Sequence, residues 1–413
     1  MEKGCLGEAK PHGVTNTMAL RIHNSTSDGV VSRYAWQARE QLLLASYATY
    51  SLNSLGRKIA EPLHPYRSPF QRDRDRILHS AAFRRLSGKM QVFTGDMGDY
   101  HRTRLTHTNE VTSLARTAGR YLQLNEDLIE ALAMVHDIGH PPFGHCGEDA
   151  LNECLSDDGG FSHNRFAMEI VEQLEQRHTS MPGLNLTFEV LAGQQHRSHK
   201  VLLPGELTPL LEVQVVDAAD SIAYDAHDVD DALKLGLISF QQLHRLSIVR
   251  RALEHAGATN PHLPNERQFI VHALLDLQID DFLETSKNQL SQFQGLDSQA
   301  VREIGILLRM SPSIESEKEE LEEFLFENVY RHPKLMEIRQ RAATRLRQMF
   351  HLLLAYPQRL PKRFQSFIQQ HDSSQHAIRR AVAQYLAGMT DRFCDDTYVN
   401  LVELGRSQAE DWA

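Results

Sequence analysis

Of the chain's 413 residues, 44 are Lys or Arg and 54 are Asp or Glu, a formal net charge of −10, so a general polyanion-binding surface is not the starting expectation. A hydrophobic share of 41% is enough to bury a core and excludes disorder throughout. Four cysteines without a C-x-x-C pair suggest neither a disulfide framework nor a thiolate zinc site, and no apolar run approaches the roughly 18 to 20 residues that span a bilayer. A soluble protein of the reducing cytoplasm, with no membrane partner, is expected.

In chain order, residues 1 to 30 are rich in Gly, Thr, Asn and Ser without an apolar period, which predicts a flexible leader. Between residues 57 and 89, nine Lys or Arg face three acids, so phosphate is a candidate partner there. The alternative is a solvated helix face in which Arg72, Arg74 and Arg76 alternate with Asp73 and Asp75. From Gln41 onward the apolar residues follow the 3.6-residue helical period, as in Val111, Leu114, Ala115, Ala118 and Leu122. Gly and Pro clusters such as Gly139/Pro141/Pro142 cut this pattern into many short helices, and no 20 to 50 residue repeat is visible. The predicted class is therefore all-α. Six glutamates in the nine positions from Glu315 to Glu323 read as an exposed helix start, where negative charge suits the dipole.

Three His-Asp dipeptides occur, at His136, His227 and His371, so their surroundings must separate them. His371-Asp372 sits in a polar stretch and reads as a surface loop. His136-Asp137 ends the apolar run Leu128 to Val135, and the loop that follows carries three His and one Asp within ten residues, more than a helix C-terminus needs. Upstream, His107 stands where an amphipathic helix begins; downstream, Asp220, Tyr224 and Asp228 fall at i, i+4 and i+8 on one helix face. Acids on so apolar a segment are costly to bury unless paired or bound to a cation. His107, His136, Asp137 and Asp220 thus form a candidate nitrogen and oxygen ligand set for one divalent ion, and the set does not choose among Mn, Mg, Fe, Co, Ni and Zn. Such an ion acidifies water and polarises phosphorus, which points to phosphoester hydrolysis.

The segments Arg72 to Leu86, Lys89-Met-Gln-Val, Arg104 to Val111, His136 to Glu148 and Val216 to Asp228 carry a close resemblance to the deoxynucleoside triphosphate triphosphohydrolases of the HD phosphohydrolase superfamily. It spans roughly Arg57 to Ser239, with weaker similarity through Asn328-Val-Tyr-Arg-His-Pro333. The resemblance implies a multi-helix HD core over residues 102 to 240. An N-terminal helical segment with a phosphate-facing basic block would precede it over residues 31 to 101. A C-terminal helical region over residues 241 to 413 would complete the pocket and the contacts of a homo-oligomer. The implied reaction converts a dNTP to deoxynucleoside and inorganic triphosphate, with an activating nucleotide as a possible further partner. It makes His107, His136, Asp137 and Asp220 the metal ligands, Asp220 being preferred to Asp217 because only from it do Tyr224 and Asp228 fall at the family's substrate-contacting spacing. It also makes His145 and Glu148 the catalytic pair, a proton carrier and the group that orients it. Arg104 is implied to face an α-phosphate oxygen. Gln91 would lie near the sugar 3′-hydroxyl, Tyr224 would pack against C2′ and help reject ribose, and Asp228 and Asn164 would line the pocket. The sequence departs from the family pattern at Arg165, bulkier than expected, and at His196-Arg197, where relatives carry Lys-His. Two other readings compete: a different HD phosphohydrolase, against which the Arg72 to Gln91 block argues, and a regulatory protein that binds nucleotide or single-stranded DNA with little turnover.

Overall fold

The structure, a computed structural model, describes residues 34–91, 102–176, 181–199, 206–257, 265–371, 373–405 and 409–410. The expected leader and Asp372 lie outside them. Among the described residues there is no strand, only three isolated bridges, so the class is all-α. Buried apolar side chains from Tyr47 to Leu401 form one contiguous cluster.

The helices that position the site begin at local signals in the sequence. Helix α1 (Pro69–Leu78) starts with Pro and a capping box in which the side chains of Ser68 and Gln71 each accept from the other's backbone N–H. Thr103 caps α2 (Arg104–Tyr121) and Asn125 caps α3 (Glu126–Val135). Then follow α4 (His145–Cys154), α5 (His163–Glu169), α6 (Phe188–His199), α7 (Leu211–Lys234), α8 (Glu266–Leu290), α9 (Pro333–Ala355), α10 (Gln375–Ala387) and α11 (Asp391–Tyr398). Helix α7 runs against α2, α3 and α8, so acids on its inner face meet the start of α2 and the end of α3.

The basic block does not form the phosphate-facing surface expected of it. Arg57 pairs with buried Asp73, Arg72 and Arg76 share Glu61, and Arg74 pairs with Asp75 and Glu130. These guanidiniums are held by carboxylates and carbonyls of their own chain, because the acids between them in sequence and Glu61 face inward with them. The glutamate run lies on a helix from Pro312 to Leu325 and is partly paired: Glu322 receives Lys318, which also bonds buried Asp225, and Glu317 receives Arg251.

The loop between α3 and α4 is clamped on every side. Phe143 and Gly144 adopt φ of +64° and +60°, a conformation that a side chain such as Phe143's tolerates poorly. Asp391, at the start of α11, accepts from the backbone N–H groups of Phe143 and Met90, both at 2.9 Å. The ammonium of Lys89 donates to the carbonyls of His140 and Ala387, and burial pushes its pKa down to about 7. The C-terminal helices thus hold the loop that carries the histidines. Gly139 is required by close approach, since a Cβ there would stand 2.0 Å from the His163 carbonyl oxygen and 2.5 Å from the Ala167 nitrogen. Gly139→Ala should therefore destabilise the protein by at least about 1 to 3 kcal/mol, the usual range for overpacking, seen as a lowered urea midpoint. An unchanged midpoint would contradict the contact.

Candidate metal centre

The folding of α2, α3 and α7 against one another brings His107, His136 and Asp220 into one cluster, with a ligand atom of each within 4.8 Å of the others. His107 belongs to the first turn of α2, His136 follows α3, and Asp220 sits mid-way along α7. His107 Nε2 lies 3.0 Å from Asp220 Oδ1, and His136 Nε2 lies 3.6 Å from the same oxygen.

The tautomers follow from the hydrogen bonds. The Glu110 carboxylate, an acceptor only, lies 2.5 Å from His227 Nε2, so that nitrogen carries hydrogen. Burial lowers the pKa of His227 and keeps the ring neutral, leaving Nδ1 bare to accept from His107 Nδ1 at 3.1 Å. His107 Nε2 then also bears a lone pair and faces the carboxylate oxygen of Asp220. His136 reaches the same state by another route: its Nδ1 donates to the Ala133 carbonyl at 2.5 Å, burial lowers its pKa, and its Nε2 is buried without a hydrogen-bond partner. Two nitrogen lone pairs and a carboxylate oxygen converging in a buried space repel one another unless a cation lies between them. The donor set therefore fits a divalent metal ion, and a second layer of carboxylate and carbonyl orients the imidazoles as such ligands require.

Asp137 stands beside this cluster and not within it. Its carboxylate is 2.9 and 3.0 Å from Arg104 Nη1 and 2.7 Å from His140 Nδ1, and its nearest approach to His136 Nε2 is 3.8 Å. Burial raises its pKa, but Arg104 and then His140 outweigh this and hold the carboxyl well below the ordinary range. The same pairing turns Arg104, expected to face a phosphate, onto Asp137. Between the two competing acids of α7, Asp220 is the one near the histidines; Asp217 pairs with Arg197 at 2.6 Å, and Arg197 also reaches Asp220 Oδ2 at 3.1 Å.

A second cluster lies across the loop. His145 Nδ1 is 3.2 Å from Glu148 Oε2, the expected pair, and Glu148 is further held by the backbone N–H of His163 at 2.9 Å and by His163 Nδ1 at 2.8 Å. Burial raises the pKa of Glu148, yet the hydrogen bonds from His145 and His163 override it and keep the carboxylate ionised. His163 stacks on His140 with centroids 3.8 Å apart. The sequence reading missed His163, although it stands in the same Ser-His-Asn segment from which Asn164 was chosen. Asn164 itself is a brace and not a pocket wall: its amide bonds the Arg197 carbonyl and Gln194, both at 3.3 Å.

The sugar-contacting expectations fall on a third group. The Tyr224 hydroxyl bonds that of Tyr330, which in turn donates to Asp228, and burial pushes the Asp228 carboxyl up to about 8. At neutral pH Asp228 is thus protonated and can donate a hydrogen bond. Tyr330 was not singled out, though it sits in the Asn328 to Pro333 segment of weaker similarity. Gln91 is buried with its Oε1 unpartnered. His196 points elsewhere: with Tyr50, Glu189 and Arg302 it lines a cavity of ≈ 730 Å³ to which none of the clustered histidines contributes.

Comparison with known proteins agrees with this geometry. The HD domain matches residues 104–225 and the phosphohydrolase-associated domain residues 308–400. The deoxyguanosinetriphosphate triphosphohydrolase-like protein of Geobacter sulfurreducens is 40% identical over 386 residues, covering 91% of this chain and 99% of that one. Its namesakes from Nitrosomonas europaea and Ralstonia pickettii are each 39% identical, covering 87% and 85% of this chain and 97% and 92% of theirs.

If the Glu110–His227 relay fixes the His107 tautomer, Glu110→Ala should weaken metal binding by roughly 10- to 100-fold without removing a ligand. Competition with a chelator of known affinity measures this, and an unchanged affinity would show that the relay is not needed.

Proposed function

The chain belongs to the family of deoxyguanosinetriphosphate triphosphohydrolase-like proteins and is a metal-dependent HD-domain phosphohydrolase; from that premise we propose that it hydrolyses deoxynucleoside triphosphates to deoxynucleoside and inorganic triphosphate. The observation that carries the proposal is the placement of a cation-requiring cluster next to an imidazole–carboxylate pair. His107, His136 and Asp220 are joined through Asp137 and His140 to His145 and Glu148.

In this reading His107, His136 and Asp220 hold the metal, with Asp137 beside them. The ion, when bound, supplies Lewis-acid polarisation of a phosphoryl oxygen and lowers the pKa of a water. The remaining work belongs to the chain. The Asp137 carboxylate orients Arg104 and His140, so that the guanidinium stands ready for a phosphate oxygen. His145, its Nδ1 hydrogen on Glu148, leaves Nε2 to exchange a proton with a substrate oxygen. In the overall reaction the α-phosphorus to O5′ bond breaks, the water oxygen joins the triphosphate, and O5′ leaves with a proton. Gln91 and protonated Asp228 are the polar groups for the sugar, and the Tyr224 ring, tied to Tyr330, forms the wall that would meet a 2′-hydroxyl. Homo-oligomer formation belongs to the same reading, supported by exposed Leu42, Leu55 and Tyr66 along the N-terminal segment. Activation by a further nucleotide is also part of it.

Incubation with each dNTP, alone and in pairs, with Mn²⁺ or Mg²⁺ tests the proposal by release of triphosphate. Binding without turnover would favour the regulatory alternative, and activity only with a pair would reveal an activating nucleotide. His145→Ala should keep its metal while losing about 10²- to 10⁴-fold in kcat, the usual worth of a positioned proton carrier; near-wild-type turnover removes it from the mechanism. Tyr224→Ala should weaken dNTP hydrolysis through a lost contact worth roughly 1 to 3 kcal/mol, yet raise kcat/KM for the matching rNTP relative to the dNTP. An unchanged ratio would leave Tyr224 as packing.

A further inference from the structure

The cluster around Glu148 holds more imidazole than one proton carrier needs. A ligand atom from each of His140, His145, Glu148 and His163 lies within 4.8 Å of the others. Carboxylates occupy Nδ1 of all three rings: Asp137 Oδ1 stands 2.7 Å from His140, Glu148 Oε2 3.2 Å from His145, and both Glu148 oxygens 2.8 Å from His163. Because a carboxylate only accepts, each neutral ring carries its hydrogen on Nδ1 and presents a bare Nε2. That of His140 is buried and has no hydrogen-bond partner. An imidazole whose distal N–H is held by a carboxylate is the arrangement that metal-ligating histidines adopt, and here it occurs three times in one place.

We propose that His140, His145 and His163, with Glu148, form a second divalent-cation site beside the one on His107, His136 and Asp220. Its nitrogen-rich donor set suits Mn, Co, Ni or Zn better than Mg. A contraction of about an ångström among the side chains closes a shell with bonds of about 2.0 to 2.2 Å. His145 is the most exposed member, its side chain 56% accessible, so the site opens to solvent on that side and fills less tightly than the buried first cluster. Asp137 links the two, since the carboxylate that supports His140 also stands 3.8 Å from His136 Nε2. One consequence rests on the proton-transfer reading above: a cation on His145 withdraws its Nε2 from proton exchange, so turnover should rise and then fall as metal concentration increases.

The test counts metal and does not depend on turnover. The full chain is dialysed against increasing Mn²⁺ or Co²⁺ and the bound metal is measured by mass spectrometry. Wild type should take up a second equivalent after the first. His163→Gln and His140→Gln should each lose the second and keep the first, whereas His107→Ala should lose the first and keep the second. Saturation of the wild type at one equivalent overturns the proposal without recourse to any variant, as does a folded His163→Gln, checked by circular dichroism, that still binds two. Absence of triphosphate release from any dNTP would refute the proposed reaction and leave the metal count to decide this site.

Discussion

A buried imidazole nitrogen and a carboxylate oxygen, 3.0 Å apart and both bearing lone pairs, make the centre of this protein unstable without a positive charge between them. His107 and Asp220 are in that position because a relay from Glu110 through His227 assigns the His107 proton to the other side of the ring. His136 adds a third lone pair, fixed by the Ala133 carbonyl. The arrangement is a vacancy shaped for a cation, and the fold maintains it by packing α7 against α2 and α3.

What keeps the groups from rearranging is the rigidity of the loop between α3 and α4. Gly139 lets the loop approach α5 to within contact of its backbone, and the positive φ values at Phe143 and Gly144 turn the chain into α4. Local strain of this kind persists only where the surroundings determine it. Asp391 and Lys89 provide that determination from residues far away in sequence, which explains why a helical region beyond residue 308 accompanies the metal-binding core. Asp137 has a related part: held by Arg104 and His140, it joins the metal cluster to the histidine cluster as a shared anion.

Much of this was legible in the sequence because the signals are local. The helical period, the Gly and Pro breaks, and the capping residues Ser68, Thr103 and Asn125 all act within a few residues. His107, His136 and Asp220 were legible because acid and imidazole on apolar segments demand an explanation. The rest depends on pairings between distant residues, to which periodicity is blind. Asp137 looked like a ligand until Arg104, 33 residues earlier, was seen to take both its oxygens. The basic block looked available to phosphate until Arg72 and Arg76 were found on Glu61. His163 and Tyr330 lay within quoted segments, but their roles come from Glu148 and Asp228, 15 and 102 residues away.

The central claim, that the His107, His136 and Asp220 cluster exists to hold a divalent ion, is tested most directly by anomalous diffraction from crystals soaked in Mn²⁺ and measured on either side of the manganese absorption edge. The account predicts an anomalous peak bounded by His107 Nε2, His136 Nε2 and Asp220, with each of these atoms drawn to about 2.0 to 2.2 Å from it. A map with no peak there, in which His107 and Asp220 remain joined by a simple hydrogen bond, would contradict it.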